Sequence, residues 1–177
     1  MKLKNKSGLT LVEMLCCVVV MLLVSIGMVN GVSLAVRNYE SSLMSSESQV
    51  LCSTLTNLVS DELRYSGPVE WNKDPIRFYS RTYGSKCIFS QNDSNQVTLN
   101  EIQRDGNPAQ RGYKLLPNRS YHLGMRANVT LAKAAGKDNT FSVTILVTDS
   151  KDRELARNEF EVEKLNPEAQ TNEDQTS

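Results

Sequence analysis

The sequence predicts an α+β fold: a long N-terminal helix, membrane-spanning in its first half, packed through its second half against an antiparallel sheet. Three observations predict it. An almost uninterrupted apolar run fills residues 9–36, an amphipathic pattern carries on to residue 65, and after Pro68 short segments alternate apolar and polar residues. The chain has 177 residues, enough for one domain of ordinary size with an appendage.

The first half of the helix follows from the apolar run. Its only ionisable side chains are Glu13 and the thiols of Cys16 and Cys17. About 20 apolar residues at 1.5 Å rise span a bilayer, so this run is long enough. Lys2, Lys4 and Lys6 precede it, and Arg37 is the first basic residue after it. The positive-inside rule then sets residues 1–8 in the cytoplasm and the bulk of the chain outside, in a single pass through the inner or plasma membrane. A carboxylate inside such a run is costly, so Glu13 needs a partner or a place at the headgroups.

The second half follows from spacing. Val36, Tyr39, Leu43, Val50, Leu51, Leu55, Leu58, Val59 and Leu63 recur mostly at intervals of three or four, with Ser, Thr, Asn and Glu between them. That is one apolar stripe on a helix, and ordinary core packing accounts for it. Ser66-Gly67-Pro68 ends the helix.

The sheet follows from alternation. Residues 77–79, 87–89, 96–102 and 113–116 read as weak strands. Residues 126–132 read as a better one, and 141–148 as the best, with Phe141, Val143, Ile145 and Val147 on one face. Residues 149–152 turn the chain. Leu155, then Phe160 and Val162, resume a strand, and their change of parity predicts a bulge. These segments make an antiparallel sheet of about four to six strands on the helix stripe. The expected division is a leader at 1–8, a transmembrane helix at 9–36, an amphipathic half at 37–66, a β head at 67–165 and a disordered tail at 166–177. Trp71, in the loop 68–75, is read as a packed loop aromatic.

Composition excludes several function classes. Lys+Arg and Asp+Glu are both 20, so no excess of basic charge marks a nucleic-acid binder. The single histidine, His122, cannot build a multi-histidine metal site. No nucleophile motif, phosphate loop or metal spacing is present, so no catalytic residue, cofactor or metal is expected, and the reading is not an enzyme. Asp149-Ser150-Lys151-Asp152 lacks the glycine and terminal glutamate of an EF-hand and reads as a hairpin turn. Cys52 on the helix and Cys87 on a strand would both be extracytoplasmic, where a disulfide tying sheet to helix persists. Packing of Cys52 in the stripe is the equal alternative.

The string Lys4-Asn5-Lys6-Ser7-Gly8-Leu9-Thr10-Leu11-Val12-Glu13-Met14 decides among membrane segments. It resembles the leader and first mature residues of type IV pilins and type II secretion pseudopilins: a short basic leader, a glycine before the cut, an apolar first residue, and glutamate fifth after the cut. The resemblance is specific over residues 4–24 and does not cover the C-terminal two thirds. It implies a pilin-like fold, cleavage between Gly8 and Leu9 by prepilin peptidase, and N-methylation of Leu9. It also implies pairing of Glu13 with the N-terminal amine of a neighbouring subunit, which would set assembly register. Implied partners are other pilin subunits, the peptidase, an inner-membrane assembly platform and the lipid bilayer.

Two features depart from the family. Leu9 stands where phenylalanine is commonest, and Gly27 and Gly31 stand where many members have a helix-softening proline. The function implied is a structural subunit of a type IV pilus-like filament on the cell surface or in the periplasm, and the weak strand patterning and polar tail point to a minor subunit. The alternatives are a type II secretion pseudopilin and a membrane-tethered binding module that does not polymerise. A secretory signal cut after Ala35 conflicts with the length of the run and with Glu13. A plain anchor explains neither Gly8 nor Glu13.

Overall fold

A computed structural model describes residues 10–103, 105–109 and 112–165. The leader, the cleavage site at Gly8 and Leu9, and the tail at 166–177 lie outside the described residues. The chain divides into two compact units, residues 1–43 and 44–177. One helix, α1 (Leu11–Arg64), contributes to both.

In the first unit α1 is apolar on every side as far as Val36, and the large side chains of that stretch are 47–83% exposed. Such a helix needs a non-aqueous surrounding. Ser25 and Ser33 donate their hydroxyls back to the carbonyls of Met21 (2.8 Å) and Val29 (2.9 Å), which satisfies them without water. The helix is continuous through Gly27 and Gly31.

The second unit is the head. The amphipathic turns of α1 bury Ser48, Leu51, Cys52, Leu55, Val59 and Leu63. This face is narrower than the sequence stripe: Val50 is 66% exposed and Leu58 36%. Five strands, β1 (Val69–Glu70), β2 (Arg77–Ser80), β3 (Ser85–Gln91), β4 (Val97–Glu101) and β5 (Tyr113–Lys114), form an antiparallel sheet in sequence order. Three more, β6 (Arg126–Lys133), β7 (Thr140–Thr148) and β8 (Glu154–Glu163), form a second antiparallel sheet.

The expectation of one sheet is therefore corrected to two. After β5 the chain leaves the ladder and makes two 3₁₀ turns, Asn118–Ser120 and His122–Gly124, before β6 begins. The sheets meet through single bonds instead. The Gln91 side-chain amide donates to the Ala127 carbonyl (2.6 Å), and the Ala127 N–H donates to the Asn95 carbonyl (3.2 Å).

Phe141, Val143, Ile145 and Val147 on β7 are fully buried, as alternation predicts. They share a core with the α1 face and with Phe78, Phe89, Val97 and Leu99 of the first sheet. The expected bulge is present. Val147 pairs with Ala156 and Thr148 with Glu154, so Leu155 is the extra residue and the inward parity switches there. The β7–β8 turn is held by Asp149, whose Oδ1 accepts the N–H of Lys151 (2.8 Å) and of Arg153 (2.9 Å). Trp71 packs against Phe141, ring centroids 4.7 Å apart.

Helix and sheet are also joined by polar contacts. Glu62 on α1 accepts the hydroxyls of Ser80 and of Thr82 (2.9 Å) at the β2–β3 turn. Asn158 on β8 donates to the Thr56 hydroxyl (3.0 Å), and the Leu165 N–H donates to the Arg64 carbonyl (3.0 Å).

Candidate functional site: the start of the N-terminal helix

Thr10 precedes the first helical residue and caps it. The Glu13 N–H donates to Thr10 Oγ1 (3.3 Å), and the Thr10 N–H donates back to Glu13 Oε2 (2.9 Å). The Thr10 hydroxyl also donates to Glu13 Oε2 (3.0 Å). This reciprocal pair is a capping box, and it satisfies two backbone donors that the first turn leaves unpaired. The negative carboxylate also sits at the positive end of the helix dipole.

Glu13 thus already has a local task within its own chain. The sequence reading singled out Glu13 and missed Thr10, although Thr-x-x-Glu ahead of an apolar run is the signature of such a box. Only Oε2 is engaged by Thr10. Exposed apolar residues surround the pair: Leu11, Val12, Met14 and Leu15 are 58–83% exposed. The arrangement is therefore a carboxylate fixed in position at the start of an apolar helix. It can accept a cationic hydrogen-bond donor from another molecule.

Farther along, Gly27 and Gly31 lie four residues apart, on the same helix face. Apart from the helix's own adjoining backbone, nothing among the described residues lies within 4 Å of where a Cβ would stand at either, so that face is open to close approach.

The other singled-out residues lie elsewhere. Cys16 and Cys17 are exposed on the apolar helix, while Cys52 and Cys87 are buried in the head core, and all four are free thiols. Cys87 Sγ rests against the Ser85 hydroxyl (3.5 Å). Burial pushes both head thiols above the ordinary cysteine range and keeps them protonated. His122 is exposed on the second 3₁₀ turn. Among the described residues, no group of three or more His, Cys, Asp or Glu could hold a metal ion.

By length and composition α1 can cross a membrane. Residues 3–29 match the family model described as the prokaryotic N-terminal methylation motif. No curated protein and no solved structure matches the chain. The long helix lying on antiparallel sheets is consistent with a pilin-like fold, and that fold fits a membrane-anchored precursor. The N-terminal segment of this chain is therefore a prepilin-type signal, the mark of type IV pilins and pseudopilins.

Proposed function

We propose that the protein is a structural, minor subunit of a type IV pilus-like filament. Prepilin peptidase cuts between Gly8 and Leu9, Leu9 is N-methylated, and the subunit waits in the membrane with its head extracytoplasmic. An assembly platform then moves it into the filament, where the apolar helix packs among its neighbours. The division into a leader (1–8), a membrane and assembly helix (9–36), an amphipathic half (37–66), a β head (67–165) and a tail (166–177) is part of the same proposal.

The observation that carries it is the Thr10–Glu13 box, which holds a carboxylate at the first turn of an apolar helix and leaves its Oε1 unengaged by Thr10. Cleavage after Gly8 would give each subunit a cationic amine on Leu9. Glu13 keeps an oxygen for the amine of an adjoining subunit, and a charge pair in an apolar bundle fixes axial register because leaving either charge alone is expensive. The exposed face at Gly27 and Gly31 supports close helix packing. The same signal marks pseudopilins, so a type II secretion pseudopilus is the second reading. Genes for secretion components beside this one would favour it.

Intact mass of the membrane-extracted protein tests processing. Loss of residues 1–8 with one added methyl group is expected. Retention of Met1 would leave only a tethered head. Glu13→Ala and Glu13→Val are expected to insert and be cut normally but to be excluded from filaments. Normal incorporation would refute the register role.

A further inference from the structure

The head has a cavity that the filament reading leaves unused. It measures about 400 Å³ and opens where α1 meets the segment between β5 and β6, lined among others by Glu47, Val50, Leu51, Leu116, Arg119 and His122. Its size falls within the range of small-ligand sites. Val50, Leu51 and Leu116 supply an apolar wall.

Glu47 lines the cavity and is half-buried; its Oε2 is closed off from solvent, and its carboxylate makes no ion pair among the described residues. Arg119 and His122 are exposed and make no side-chain hydrogen bond or ion pair among the described residues. Opposite charges thus line one cavity without pairing: no Glu47–Arg119 ion pair forms within 4 Å.

The turns that carry the two basic residues are anchored. Tyr121 between them is buried and its Oη accepts the Val97 N–H (3.1 Å). The Tyr121 N–H bonds to the Asn118 carbonyl (3.1 Å), and the Met125 N–H to the His122 carbonyl (3.0 Å).

We propose that this cavity binds a small zwitterion, an amino acid or short peptide with an apolar side chain, its ammonium on Glu47, its carboxylate on Arg119 and its side chain on Val50, Leu51 and Leu116. The alternatives fit less well. A simple cation meets Arg119 with like charge, and a simple anion meets Glu47. A purely apolar molecule leaves the charges of Glu47 and Arg119 without partners. The guanidinium fork suits a carboxylate, and the apolar wall suits an aliphatic side chain.

The test is calorimetric titration of the full chain in detergent micelles with the dipeptide leucyl-leucine. n-Butylammonium, isovalerate and phosphoethanolamine serve as comparison probes. Saturable dipeptide binding is expected, weakened at least tenfold by Glu47→Gln and, separately, by Arg119→Ala. It should be lost when the dipeptide termini are acetylated and amidated. Trp71 fluorescence checks that each variant is folded, and the exposed Arg119 makes its variant decisive if Glu47→Gln fails that check. Absence of dipeptide binding overturns the proposal. So does unchanged binding to a folded variant, or equal or tighter binding of butylammonium, isovalerate or phosphoethanolamine. The measurement needs no filament, so its failure is separate from failure of the pilin reading.

Discussion

Replacing Leu55 by alanine is expected to destabilise the head strongly, whereas Val50→Ala is expected to leave it nearly unchanged. Both residues belong to the stripe read from sequence, but Leu55 is 0% exposed and Val50 66%. Alanine raises helix propensity at either site, so the contrast isolates burial. Leu55 sits in the core with Phe78, Phe141 and Ile145. Truncating a buried leucine costs about 2–5 kcal/mol, the lost transfer energy plus that of the cavity left behind. An exposed valine truncation stays within about 0.5 kcal/mol. With a urea slope of about 2 kcal/mol per molar, Leu55→Ala lowers the midpoint by roughly 1–2.5 M and Val50→Ala by less than about 0.3 M. Trp71 provides the assay: it is the only tryptophan, and its ring lies against Phe141 in the same core. Its fluorescence follows the head while the membrane helix stays in detergent. Equal midpoint shifts for the two variants would show that this helix face is not what the sheets cover.

Other consequences can be measured on the same protein. Asp149 is held below the usual aspartate range, first by the Arg153 N–H and then by the Arg153 side chain and the Lys151 N–H. A depressed folded-state pKa stabilises above the unfolded value of about 3.9, and that contribution disappears as pH falls through the folded value. Asp149→Asn should therefore lower the urea midpoint at pH 7 and narrow its gap to wild type near pH 2; a pH-independent gap would contradict this. Thr10→Val removes the cap, costs about 1 kcal/mol of local helix stability, and should speed amide exchange over residues 11–14 without changing the head midpoint. Unchanged exchange there would count against the box. Cys52 and Cys87 should resist a water-soluble maleimide in the folded chain and react on unfolding. An unreduced count of two free thiols in the head is expected, and a count of zero would mean that they pair.

Much of the architecture was legible in the residues. The apolar run, its glutamate and the Ser66-Gly67-Pro68 stop outline a helix that the structure extends from Leu11 to Arg64. The alternation of Phe141, Val143, Ile145 and Val147 marked the central strand, and the parity change after Leu155 marked the bulge. These are local signals, because side-chain period and backbone φ/ψ preferences are written in neighbouring residues. β1 was missed because two residues carry no period; Val69–Glu70 pairs with β2 only once the chain returns.

Other features were decided only in three dimensions. Which stripe residues are buried depended on where the sheets lie on α1, so Ser48 and Cys52 went inside while Val50 and Leu58 stayed outside or at the margin. The break into two sheets came from the 3₁₀ turns after β5, which carry no strand period. Glu47 and Arg119 share a cavity although some 70 residues separate them, and no spacing rule joins them. Sequence determined what residues 9–36 need, since an apolar helix with one carboxylate has few stable surroundings. Tertiary structure decided what the head can offer, because a cavity and its unpaired charges exist only where distant segments stop short of touching.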